Sequence, residues 1–363
     1  MTFAFYKFVS FVHKESETTI KSVLADKRAI DAAHETNWDK AILESTEAIR
    51  GSPRNAWAHT IRGNAYAQKG DFENAFKDLD EGIRLAPGMA RGYHFRGRAF
   101  ALQQKWSDAI EDFTRVVAID PKSVSDHLEL GRAYAKSGDY VKALRYADKA
   151  IELDPRDPIA WDYRANMEGD QKHWEQAIND FNKAISLNGK MAALYYGRAR
   201  IYAKKEEIEK AVADLDSAIS VNPKYALAYG SRGQLLFKQG KYEMAFADCR
   251  ESVRLSPENA MALNNLAWYL AVCPEAFFRN GKEAVELANR ACKMTKSKNP
   301  HEVGTLAAAY AEENDFDQAV HYAEQVLTME GLTDEDLAKS KEQLELFKAH
   351  KPYRETPKYK IAE

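Results

Sequence analysis

Alanine recurs every 34 residues, at Ala41, Ala75, Ala109, Ala143, Ala177, Ala211 and Ala245, without a gap or a miss. A chain that repeats itself at such a period folds as a row of supersecondary units, each burying its apolar face against its neighbours. Two more columns share the period. Pro53, Pro87, Pro121, Pro155, Gly189, Pro223 and Pro257 close each unit with a residue that does not readily continue a helix. Ala29, Gly63, Gly97, Gly131, Ala165, Ala199 and Gly233 are always small. Numbered from the residue 31 before its proline, a unit has its small residue at position 8, its alanine at position 20 and its proline at position 32. Leu79, Phe113, Ala147, Phe181, Leu215 and Cys249 follow the alanine by four. The pattern predicts two helices per unit, A over about positions 1 to 14 and B over about 15 to 28, joined by turns such as Lys69-Gly70-Asp71. Antiparallel packing puts position i level with roughly 29 − i, so the small residues at 8 and 20 let two backbones approach.

With Tyr66 and Tyr134 at position 11 and Phe72, Trp106, Tyr140, Trp174 and Tyr242 at position 17, the chain resembles the tetratricopeptide repeat family over roughly residues 22 to 330. The resemblance implies an all-α fold, a right-handed superhelical solenoid of antiparallel helix pairs with nine repeats. Seven regular units span residues 22–259. Two more follow over 260–330, the first with Ala284 placed 39 residues after Ala245, so that five residues are inserted between its helices. In that insertion Phe277 and Phe278 stand side by side. Thr333 caps an expected C-terminal helix within 331–350, with Leu337, Leu344 and Phe347 on one side. Residues 351–363 have the composition of a flexible tail. The segment 1–21, with Phe3, Phe5, Tyr6, Phe8 and Phe11, reads as an N-terminal cap, with self-association through it as an alternative.

Two columns vary together. Position 7 reads Arg28, Arg62, Arg96, Leu130, Arg164, Arg198 and Arg232, and position 23 reads Glu44, Asp78, Asp112, Tyr146, Asp180, Asp214 and Asp248. The level rule sets these positions side by side. Six inter-helix ion pairs are therefore expected, with Leu130 against Tyr146 as the apolar substitute in the fourth unit. Stranding one partner of a partly buried pair costs about 3–5 kcal/mol, whereas replacing both can be neutral, which accounts for the joint change.

In the resembled family the concave surface is lined by helix A, mainly at positions 2, 5, 9, 12 and 13, and binds extended peptides. Position 12 is small in most units here, as in Ala67, Ala101, Ala135 and Ala203, which keeps such a groove open. Carried over, Asn64, Arg98, Arg132, Lys136, Asn166, Arg200, Lys204 and Lys238 become groove candidates, with Asp162 and Asp170 as local exceptions. This basic lining implies an acidic or carboxylate-terminated protein or peptide partner. The family's carboxylate clamp for chaperone tails is absent in its usual form, since Asn64 is accompanied by Thr60 and Phe95, and Asn166 by Asp162 and Gly197.

The remaining chemistry is sparse. A net charge of −3 gives no bulk attraction to nucleic acid or anionic lipid, although the basic ladder leaves RNA binding by a helical-repeat groove as an alternative, alongside a regulatory subunit of an enzyme complex. Cys249, Cys273 and Cys292 form no CxxC pair, which argues for reduced thiols. Asn280-Gly281-Lys282 lacks the rest of a phosphate loop. The expectation is thus a noncatalytic interaction scaffold that needs no cofactor or metal, has no membrane span and resides in the cytoplasm.

Overall fold

A computed structural model describes residues 24–357, and the proposed N-terminal cap lies outside them. All regular structure among those residues is helical. Helix α1 covers residues 24–34, and it is followed by α2 (Trp38–Gly51), α3 (Ala56–Gln68), α4 (Phe72–Leu85), α5 (Ala90–Leu102), α6 (Trp106–Ile119), α7 (Val124–Lys136), α8 (Tyr140–Leu153), α9 (Pro158–Asp170) and α10 (Trp174–Leu187). The series continues with α11 (Ala192–Lys204), α12 (Ile208–Val221), α13 (Ala226–Lys238), α14 (Tyr242–Leu255), α15 (Ala260–Val272), α16 (Gly281–Thr295), α17 (Pro300–Glu312), α18 (Phe316–Leu327) and α19 (Asp334–Lys348). The chain divides into two compact units, residues 1–183 and 184–363, the division falling inside α10. Within each, consecutive odd and even helices pair as A and B of successive repeats.

The conserved spacing has local causes. Helix B ends two residues before the closing proline, because the residue preceding a proline is driven out of the helical region: Ala86, Asp120, Asp154, Asn222 and Ser256 all sit near φ −140° to −123°. The turn from A to B needs one left-handed residue. Glycine supplies it at Gly70, Gly138 and Gly240, but Thr36, Gln104, Lys172, Glu206 and Asn314 take the same conformation with φ of 57° to 63°. At position 8 the two helices touch through backbone. A Cβ on Gly63 would lie 2.7 Å from Leu79 Cγ and 2.9 Å from the Ala75 carbonyl oxygen, and one on Gly233 would meet Cys249 Sγ at 2.7 Å. Those neighbours are positions 20 and 24, where the level rule puts them. The core is accordingly rich in alanine, with every column alanine from Ala41 to Ala245 fully buried.

All six expected ion pairs form. Arg62 Nε and Nη2 donate to the Asp78 carboxylate at 2.6 and 2.8 Å, Arg96 to Asp112 at 2.9 and 2.8 Å, and Arg164 to Asp180 at 2.8 Å twice. Arg198 reaches Asp214 at 2.7 and 2.6 Å, Arg232 reaches Asp248 at 2.8 and 2.7 Å, and Arg28 holds Glu44 at 2.6 Å. In the fourth repeat Leu130 is fully buried and packs with Tyr146, which stacks on Tyr134 at 5.6 Å.

Two features of this column were not expected. The third guanidinium nitrogen crosses to the preceding repeat, where Arg96 Nη1 donates to Asp80 at 2.7 Å, Arg164 Nη1 to Asp148 at 2.8 Å and Arg232 Nη1 to Asp216 at 2.5 Å. Each of these arginines therefore ties helix A to its own helix B and to the one before. The apolar version also recurs: Leu306, Tyr310 and Tyr322 repeat the fourth unit in the ninth, with the two rings 5.6 Å apart and nearly parallel.

The inserted stretch forms a 3-10 turn at Ala276–Phe278. Phe278 folds back and stacks on Phe246 at 5.1 Å, while Phe277 is exposed. Thr333 caps α19 through a reciprocal capping box with Asp336, and α19 buries Leu344 and Phe347.

The expectation of a flexible tail from residue 351 needs correction for residues 351–357. Glu355 N donates to the Val272 carbonyl at 3.0 Å, Arg354 Nη1 donates to Ala271 O at 3.1 Å and Arg354 Nη2 pairs with Glu312 at 2.5 Å. The cause lies in the insertion. In regular repeats the A–B turn satisfies the helix A carbonyls of positions 11 and 12, as when Asp139 N donates to Tyr134 O and Gly138 N to Ala135 O. In the eighth repeat Cys273 is extended instead (φ −55°, ψ 131°), and the tail supplies donors for Ala271 and Val272.

Candidate functional site

The helix A face that carries positions 2, 5, 9, 12 and 13 holds three cavities. In the first unit, a cavity of about 220 Å³ brings together Arg98, Arg132 and Lys136 with Gln68, Glu129 and Trp106. Ala101 and Ala133 in its wall leave the space that a larger side chain would fill. Arg98 and Lys136 are exposed and make no ion pair among the described residues. Arg132 is partly committed: its Nη1 donates to Glu129 Oε1 at 3.0 Å, and its guanidinium lies 5.8 Å from the Tyr163 ring centroid.

The flanking candidates are less available. Asn64 is buried, 7% exposed, and is not in the cavity lining. Asn166 Nδ2 donates to Asp162 O at 2.8 Å and to Asp162 Oδ1 at 3.1 Å, so its amide is directed at its own helix. Burial pushes the Asp162 carboxyl up to about 6, against the lowering effects of that hydrogen bond and of nearby Arg132.

In the second unit, a cavity of about 210 Å³ is lined by Arg200 and Lys204 together with Ser231 and Gln234. Arg200 is exposed, with no ion pair among the described residues. Lys238 belongs to a third cavity, of about 220 Å³, between α13, α15, α17 and α19. There the small residue of position 12 is replaced by Phe237, which stacks on Tyr269 at 3.9 Å. Trp268, at position 9, is covered by Tyr353 of the tail and by Lys339 of α19, whose ammonium lies 5.0 Å from the indole centroid. Six of the eight sequence candidates thus line these three cavities, two basic and one covered, and Asn64 and Asn166 line none of the three. Gln68, Trp106 and Glu129 in the first unit and Ser231 in the second were not singled out from sequence.

Models of the tetratricopeptide repeat match residues 27–90, 125–157, 164–219 and 196–260, more than half of the chain. The chain belongs to the tetratricopeptide repeat family. Its repeats are those of a protein–protein interaction scaffold. Solved structures share the fold: a tetratricopeptide repeat protein from Parabacteroides merdae at 19% identity, covering 65% of this chain and 93% of that one with a TM-score of 0.54; the Cut9–Hcn1 hetero-tetramer of the APC/C at 15% identity, 82% and 54% coverage and 0.53; and Pseudomonas aeruginosa pilF at 13% identity, 60% and 99% coverage and 0.50. No curated protein matches the chain significantly. No helix among the described residues is long and apolar enough to cross a membrane.

Proposed function

We propose that this tetratricopeptide repeat protein holds acidic or carboxylate-terminated segments of partner proteins on the helix A faces of its repeats, each unit offering its own surface: Arg98, Arg132 and Lys136 in the first, Arg200 and Lys204 in the second. The observation that carries this reading is the contrast between two sets of arginines. Those at position 7 have their charge matched within the helix array, with Arg96 and Arg164 each held by one aspartate of their own repeat and one of the repeat before. Arg98, Lys136 and Arg200 stand beside open cavities without such an acid. A guanidinium with unused donors at the edge of a cavity is suited to bidentate capture of a carboxylate. Lys238 lines the third cavity together with Glu355 of the tail, and it is left outside this proposed surface.

The test is affinity purification with crosslinking, comparing the wild-type chain with Arg132→Glu plus Arg200→Glu. Partners crosslinked through acidic segments and lost from the reversed chain support the reading. An unchanged set of crosslinked partners removes it, and single-stranded RNA that binds with a steep salt dependence and is released by the same reversal would replace it with RNA recognition.

A further inference from the structure

The seventh, eighth and ninth repeats present the one inner surface among the described residues that is already occupied by an extended piece of chain. Tyr353 packs on the Trp268 indole with centroids 6.0 Å apart, and the Trp268 Nε1 hydrogen is donated to the Glu355 carboxylate. Lys339 of α19 lies over both rings, at 5.0 and 5.4 Å, and reaches Glu355 Oε1 at 3.7 Å. The backbone of the segment enters the arrangement as a ligand would, through Glu355 N on Val272 O, with the Arg354 side chain on Ala271 O and Glu312. In succession, the aromatic ring and the carboxylate are both met by Trp268 and Lys339, and the cation between them by Glu312 and the Ala271 carbonyl.

We propose that the surface around Trp268 is a recognition site for an extended protein segment of aromatic–basic–acidic pattern, and that Tyr353-Arg354-Glu355 is its intramolecular occupant, displaced by a partner bearing the same pattern. Three observations support exchange rather than a permanent seal. The Lys339–Glu355 pair is reached by solvent, with side chains 41% and 27% exposed and 3.7 Å between the charged atoms, and such a pair holds weakly. The seated segment leaves a cavity of about 220 Å³ beside Glu355, and in its wall Asn264 Oδ1 is buried without a hydrogen-bond partner. A ligand with one more donor would satisfy that atom, which the tail does not. The site also exists because of the insertion: the lengthened A–B turn leaves the Ala271 carbonyl for an incoming chain, whereas every regular repeat closes the matching carbonyl from its own turn, as Gly138 N does for Ala135 O.

The proposal rests on reading the helix A face as a peptide-binding surface, but not on the basic cavities of Arg98 and Arg200. Fluorescence anisotropy of a labelled peptide with the sequence of residues 350–357 tests it on the full chain. An occupied site binds more weakly by the fraction left open. Tyr353→Ala with Glu355→Lys, which unseats the tail, is expected to bind the peptide at least about tenfold more tightly than wild type, with Arg98→Glu plus Arg132→Glu leaving binding unchanged. Should unseating disturb the fold by circular dichroism, hydrogen exchange on the wild-type chain serves instead: unlabelled peptide must speed exchange of the Glu355 amide. Equal binding by both chains, no binding by either, loss of binding on the Arg98 and Arg132 reversal, or an unmoved Glu355 amide at high peptide concentration would each overturn the proposal. The first three results would leave the tail a cap for α15, or move the peptide to the basic cavity, which distinguishes this failure from failure of the broader scaffold reading.

Discussion

Replacing Arg198 by leucine probes what an inter-helix ion pair contributes, together with the guanidinium's contacts to the Tyr195 and Tyr202 rings. Asp214 is 6% exposed and accepts two guanidinium hydrogen bonds, at 2.7 and 2.6 Å. Each such charged bond is worth about 1.5–3 kcal/mol, and a buried carboxylate left without its cation costs about 3–5 kcal/mol. Arg198→Leu alone should therefore destabilise the second unit by about 3 kcal/mol or more. Adding Asp214→Tyr copies the ninth repeat, where Leu306 and Tyr322 occupy these positions beside Tyr310, the counterpart of Tyr202. The copy is incomplete while Leu215 stays, because the fourth and ninth repeats carry Ala147 and Ala323 at that level, both buried. Overpacking there costs about 1–3 kcal/mol. The triple variant with Leu215→Ala should return to within about 1 kcal/mol of wild type. Urea unfolding of the full chain followed by circular dichroism reads the effect, with hydrogen exchange locating it, since long repeat arrays need not unfold in one step. A loss below about 1 kcal/mol for Arg198→Leu, or a triple variant no better than the single, would refute the reasoning.

Other outcomes follow from the same geometry. Gln104→Gly, Lys172→Gly and Glu206→Gly, at left-handed turn positions with φ near 60°, should each raise stability by about 0.5–1 kcal/mol in urea titrations. Gly63→Ala should lower it by about 1–3 kcal/mol, because the new methyl meets the Ala75 carbonyl as well as a movable side chain. Asp162 has its carboxyl raised to about 6 from 3.8, so the folded state holds the proton more tightly than the unfolded chain and loses stability as pH rises through about 4 to 6. Asp162→Asn should flatten that slope and add at most about 3 kcal/mol at pH 7, read from urea midpoints across pH.

The helix pairs and their ion pairs were legible because both depend on a short-range level rule that repeats: Arg96 and Asp112 sit 16 residues apart in every copy. The cross-repeat bond from Arg96 to Asp80 has a signal of the same kind, an acid 16 residues before the arginine, visible again at Asp148 and Asp216. Comparing columns within a repeat alone hides it. The apolar pair of Leu306 and Tyr322 was missed because the comparison of columns stopped at the seventh unit. The tail was misread for a different reason. Composition counts apolar residues, and Lys351 to Pro357 has few, but its order comes from polar contacts to the end of α15, among them the Ala271 carbonyl that the five-residue insertion leaves open about 80 residues earlier. Asn166 was read as a peptide contact from its position, although Asp162 one turn earlier already accepts from its amide.

The scaffold reading is tested most directly by a peptide array of mixed composition probed with the full chain and with its Arg98→Glu plus Arg132→Glu form. The wild-type chain should retain peptides rich in Asp and Glu or ending in a free carboxylate near them, and the reversed chain should lose those spots while keeping its helical signal. Acidic peptides retained equally by both chains would contradict the assignment of the partner surface to the basic cavity of the first unit.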